Sequence, residues 1–281
     1  SALPYLLRKP ESVVVVGCRS GLDVLQPYYF GASEVMKAEK DLSLFRFMQT
    51  HYGPDSLYSR SLRYTSGRNL VQGMPEKADI IVVPRAGFFP AGAFGLQEDY
   101  DMTVEALKAY LSHLKPDGLL LIQLFLLPPP RYEARLMNNV SAALAGTDKG
   151  GITGRLVVYR SWDTINFLVR KGVFSLAELK KIRQFLTSRQ FEMVYPDTQE
   201  KERFITGLDY KGLFAKLADK GQQRPFMEGY AFDIRPATDD RPFFHYFLKV
   251  NTIQTIYAMT GRKWAYFIHE GMFLPFVLVF L

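Results

Sequence analysis

Gly17 and Gly21 bracket a short turn, Gly17-Cys18-Arg19-Ser20-Gly21, directly after the β-branched run Val13-Val14-Val15-Val16. Glycine adopts backbone conformations closed to other residues and lets main chain approach a ligand closely. In an open α/β sheet, the crossover after the first strand is a place where such an approach serves a bound nucleotide or nucleoside. Arg19 occupies the middle of the turn, where a third glycine is usual. Glu39 follows the glycines by about 20 residues, the spacing of an acid that receives the hydroxyls of a ribose. An ionised carboxylate is acceptor-only, which suits a diol. The competing reading of Glu39 is a surface acid in a charged cluster with Lys37, Lys40 and Asp41. A G-x-x-x-G turn alone is a weak signal, but the buried strand before it and the acid after it together favour a nucleoside ligand.

The elements that must position these residues read as alternating strands and helices. The pattern predicts strands over residues 13–16, 34–39, 62–64, 79–83 and 119–125. Helices are predicted over residues 21–29, 42–51, 100–114 and 132–145, with Lys115-Pro116-Asp117-Gly118 as a turn that ends the third of these. Residues 85–97 are predicted as a loop. Five alternations indicate a doubly wound, mostly parallel sheet. Leu156–Tyr159 and Thr164–Arg170 read as an antiparallel pair at one edge. Ser175 and Glu178 form a capping box for a helix over 176–188, and residues 191–195 read as a last strand. Residues 1–196 are therefore expected to form the main domain. Residues 197–249 are expected to form a small helical appendage or lid, and residues 250–281 a membrane-proximal segment.

Composition bounds the rest. The chain has 281 residues, 48% hydrophobic and 22% charged, with a formal net charge of +7. That balance predicts a folded globular core. No aromatic-basic ribonucleoprotein motif or zinc-finger spacing is present, so nucleic acid is not an expected partner. Cys18 is the sole cysteine, and His51, His113, His245 and His269 show no metal-ligand pairing, so no metal site is expected. The run GMFLPFVLVFL at 271–281 carries no charge. With Trp264, Tyr266, Phe267, Arg262 and Lys263 before it, it reads as the start of a transmembrane helix, and a membrane is the expected partner. The cations near it favour the cytoplasmic face. An oligomer is compatible with the sequence.

Several segments carry a family resemblance: LPYLLRKPESVVVVG at 3–17, GLDVL at 21–25, YFGASEV at 29–35, TVEALKAYLSHLKPDGLL at 103–120 and PATDDRPFFHYF at 236–247. On these, the chain resembles the spermidine/spermine synthase-like domain of bacterial multi-spanning membrane proteins. The resemblance implies a Rossmann-like, class I methyltransferase-type sheet. It also implies a site for S-adenosylmethionine or its decarboxylated form, with Gly17, Arg19, Gly21, Glu39 and Ser66 around the cofactor. Glu39 matches the ribose-binding acid, and Ser66 falls where an acid near the adenine is frequent. Glu98 and Tyr100 match positions able to orient a nucleophile, although Glu98 and Asp99 equally suit the first turn of a helix. Polyamine synthases need an aspartate after the fourth strand as a general base. Here that stretch reads Val83-Pro84-Arg85-Ala86-Gly87, so polyamine synthesis is not expected. Two readings stay open: a transferase dependent on S-adenosylmethionine with an unknown small-molecule acceptor, and a catalytically inactive domain used as a scaffold or sensor. The acids of Asp239-Asp240-Arg241 are expected to cap a helix or pair with arginines.

Overall fold

The computed structural model describes residues 1–18, 21–86, 96–145, 151–196, 204 and 208–264, with backbone alone at 85 and 86. Its strands are β1 (Ser12–Val16), β2 (Glu34–Glu39), β3 (Leu62–Tyr64), β4 (Ala78–Ala86), β5 (Leu114–Phe125), β6 (Leu156–Arg160), β7 (Thr164–Arg170) and β8 (Glu192–Tyr195). They form one sheet in the order β3-β2-β1-β4-β5-β7-β6-β8. β1 to β5 run parallel. β7 lies antiparallel between β5 and β6, and β8 adds an antiparallel edge to β6.

The continuous apolar runs are explained by burial on both faces. Side chains alternate across a strand, so Val13 and Val15 enter one core while Val14 and Val16 enter the other. The helices α1 (Leu3–Leu7), α2 (Leu22–Tyr29), α3 (Leu42–Tyr52) and α7 (Leu176–Ser188) lie on the first face. On the second lie α4 (Gly67–Gln72), α5 (Val104–Ser112), α6 (Tyr132–Ala145) and α8 (Tyr210–Ala218). α9 (Lys220–Gly229) packs beside α8. Phe214, Phe232, Phe244 and Phe247 join the second core, so the stretch expected as an appendage shares the core of the sheet. The capping box of α7 forms as expected: Ser175 Oγ accepts from Glu178 N–H, and the Glu178 carboxylate accepts from Ser175 N–H.

Three expectations need correction. The helix predicted over 100–114 shortens to α5, because Thr103 Oγ1 caps it by accepting from Ala106 N–H. Lys115–Gly118 is not a turn between elements. It bulges within β5, whose pairing with β4 passes from Ala78↔Leu114 to Ile80↔Leu119. The membrane anchor is not supported: among the described residues no helix is long and apolar enough to cross a membrane. The last described helix, α10 (Ile253–Met259), has only seven residues, and Trp264 stacks on Tyr257 at 4.5 Å. The apolar run that raised the expectation lies outside the described residues.

At the amino edge of the sheet, Asp79 ties the first strand to its surroundings. Its Oδ2 accepts from Glu11 and Ser12 N–H at 2.9 and 3.0 Å, and Arg8 and Lys115 donate to the same carboxylate. Burial pushes this carboxyl up, but those backbone and side-chain donors outweigh burial and bring it down to about 2. The opposite, carboxyl edge is left for the site.

Candidate functional site

The turn after β1 has the backbone its glycines predict. Gly17 and Gly21 have φ of +83° and +76°, and Gly21 N–H donates to Cys18 O at 3.0 Å. Only glycine takes such angles without strain. A Cβ on Gly17 would meet no atom of the described residues within 4 Å, whereas one on Gly21 would lie 3.1 Å from the Tyr58 ring. Arg19 lies outside the described residues.

Glu39 ends β2 and faces this turn. Its Oε2 accepts from Cys18 N–H and its Oε1 from Asp41 N–H, both at 2.9 Å. The residue is 4% exposed, so it is no surface acid. Each carboxylate oxygen keeps a second lone pair. Lys37 of the supposed charged cluster is also buried, donating to Tyr28 Oη and Leu57 O. Burial pushes its ammonium down to about 8. Cys18 is inert as a nucleophile. Burial, with Glu39 adding to it, pushes its thiol up to about 12.

Ser66 serves as the N-cap of α4, its Oγ accepting from Asn69 N–H at 3.2 Å. That places the start of α4 against the end of β1, beside the same turn. Glu98 and Tyr100 stand after β4 on the exposed rim. The Tyr100 phenol is pushed up, first by its hydrogen bond to Glu98.

Asp99, between them, is expected from the sequence only as an acid in the first turn of a helix, but α5 starts later, at Val104. Asp99 turns inward. Its Oδ1 accepts from Lys40 Nζ at 2.9 Å, and its Oδ2 lies 3.2 Å from His245 Nε2. Burial acts to raise the Asp99 carboxyl, but His245 and Lys40 outweigh it and hold it well below the ordinary carboxylate range. Asp99 N–H also donates to Pro242 O at 2.7 Å, so the loop after β4 is fastened to the segment that carries His245. Asp101 accepts from Arg68 N–H at 2.9 Å and lies 3.9 Å from Lys40. Lys40, Asp99 and His245 are brought together from the end of β2, from the stretch before α5 and from the segment after α9.

That segment is held by two clamps. Asp239 accepts from both Arg68 Nη1 and Thr103 Oγ1, the arginine pairing expected of this acid. Arg135, fully buried on α6, donates through Nη1 to Phe243 O and Phe244 O at 2.6 and 2.9 Å, and through Nη2 to Asp233 O. His245 follows immediately, in contact with the rings of Tyr132 and Phe244 at 5.8 and 5.3 Å. A His next to the Pro242-Phe243-Phe244 string was the available signal, but nothing local in sequence points it at Asp99.

No family model matches the chain, and no curated protein matches it in sequence. Among solved structures, the chain is similar to human methyltransferase-like protein 13 in complex with SAH, at 15% identity over 73% of this chain and 95% of that one, with a TM-score of 0.49. It is similar to spermidine synthase from Thermotoga maritima at 15% identity over 75% and 67% of the two chains, TM-score 0.44. It is similar to N-methyltransferase NodS from Bradyrhizobium japonicum at 14% identity over 60% and 90%, TM-score 0.41. These likenesses concern the fold, and none supports a multi-spanning membrane context. The strand order itself, five parallel strands completed by an antiparallel β7 inserted between β5 and β6, is that of a Rossmann-like, class I methyltransferase-type α/β sheet.

Proposed function

We propose that this chain is a group transferase that binds S-adenosylmethionine, or its decarboxylated form, across the turn after β1. The observation that carries this reading is the Glu39 carboxylate, buried at the end of β2 and hydrogen-bonded to the glycine turn. Its remaining lone pairs can accept from ribose hydroxyls, and among the described residues nothing crowds Gly17, which would let a ligand approach main chain. The bound sulfonium would supply an electrophilic carbon. The chain's own task is to hold the nucleoside, align an acceptor and remove a proton. Glu98 and Tyr100 on the rim are candidates for contact with the acceptor.

A second reading, an inactive domain serving as scaffold or sensor, draws on the same carboxylate. Both of its oxygens already accept from main chain, so Glu39 holds the turn together even without a ligand. Calorimetric titration with S-adenosylmethionine, its decarboxylated form and methylthioadenosine separates the two. Binding by the wild-type chain, weakened by at least about 1 kcal/mol in Glu39→Ala, supports the transferase. Binding that appears only in Arg19→Gly supports the second reading.

A further inference from the structure

Resting on the transferase reading above, we propose that His245 is the proton acceptor of the site and that Asp99 sets its orientation. An ionised Asp99 can only accept a hydrogen bond, so the ring nitrogen facing it, Nε2, must carry a proton. In the neutral imidazole the bare lone pair is then on Nδ1. His245 Nδ1 is buried and has no hydrogen-bond partner among the described residues, while the side chain as a whole is 10% exposed. A buried acceptor with no donor is costly to leave unpaired. Here a substrate's O–H, N–H or S–H would supply the donor.

The surroundings fit that task. Tyr132 meets the ring tilted and Phe244 meets it nearly at right angles. Among the described residues, Asp99, Lys40 and, behind Lys40, Asp101 are the charged groups that face it. Lys40 directly follows Glu39, so the pair is tied to the end of β2 where the nucleoside is read. The acceptor class is a neutral nucleophile whose proton must leave: a hydroxyl, a thiol or an amine. As its bond to the transferred carbon forms and the carbon–sulfur bond breaks, the electron pair of the broken bond stays on sulfur. His245 Nδ1 takes the nucleophile's proton, and the imidazolium so formed faces the Asp99 carboxylate.

The test uses the full chain and two readouts. Long-range correlation spectra of chain labelled with ¹⁵N-histidine should show His245 protonated at Nε2 and bare at Nδ1, and Asp99→Asn should shift the balance toward Nδ1–H. A wild-type ring protonated at Nδ1 overturns the proposal. Carbethoxylation by diethylpyrocarbonate, mapped by mass spectrometry with exposed His51 as internal reference, should label His245 and lose that label under saturating S-adenosylhomocysteine. A His245 that stays unlabelled while His51 reacts is sealed in the core, and the proposal fails. S-adenosylhomocysteine that binds by calorimetry without protecting His245 also overturns it, leaving the transferase reading intact. If none of the nucleosides binds, the transferase reading fails, and this proposal with it.

Discussion

Gly67 approaches Val16 so closely that a Cβ at position 67 would lie 2.1 Å from Val16 Cγ1. The first residue of α4 thus rests on the last residue of β1, one step before the glycine turn. This contact, more than any freedom of φ, explains a glycine here. Gly67→Ala should destabilise the chain by about 1–3 kcal/mol, the range for overpacking a filled core. Adding Val16→Ala should return part of the loss, although Val16→Ala alone also destabilises. Urea denaturation of the two single variants and the double variant measures the coupling. Strict additivity would mean that the two residues do not press on each other.

Glu39 should matter for stability before any ligand is considered. Glu39→Ala leaves the N–H groups of Cys18 and Asp41 without their acceptor, a cost of about 1–3 kcal/mol. Glu39→Gln keeps one acceptor oxygen and should lose less. Thermal unfolding of both variants checks the order. Equal losses would show that a single retained acceptor oxygen contributes nothing by itself.

Glu133, at the start of α6, is wholly buried. Burial lifts its carboxyl from 4.5 to about 7, outweighing the backbone and the nearby Arg131, which pull it down. A raised folded value means that the fold favours the neutral acid. The stability this contributes is present in full below the unfolded value of 4.5 and is lost as pH rises through about 7. At about 1.4 kcal/mol per unit, the loss is on the order of 3 kcal/mol. Glu133→Gln, always neutral, should show no such loss. Denaturation midpoints at about pH 5 and about pH 8, compared between the two proteins, report it directly. Parallel pH curves would contradict the assignment.

Arg135 is the buried clamp on the segment that delivers His245. Arg135→Met would leave the carbonyls of Phe243, Phe244 and Asp233 without this donor. We expect a loss of about 3–5 kcal/mol by urea denaturation. Arg135→Lys should recover only part, since an ammonium lacks the planar fork that reaches several carbonyls at once. Full recovery by lysine would mean that charge, not geometry, does the holding.

Much of this molecule can be read from neighbouring residues alone. Val13–Val16 announces a strand buried on both faces, Glu34–Glu39 and Tyr132–Ala145 have the bounds their patterns predict, and Ser175 with Glu178 builds the expected cap. Glu39 is picked out as a candidate by its distance from the glycines, because a strand and a helix of ordinary length fix that spacing. Periodicity, caps and turns act within a few residues, so they survive without knowledge of the rest of the chain. Other features have no such local cause. α4 has only six residues and rests on a cap and on Val16. Lys115–Gly118 looks like a turn until β4 pairs on both sides of it. His245 and Asp99 stand 146 residues apart and meet only because the Arg135 and Asp239 clamps return the C-terminal segment to the loop after β4. A contact of that kind depends on strand order and on which backbone carbonyls are left to be clamped, and those exist only once the sheet has formed.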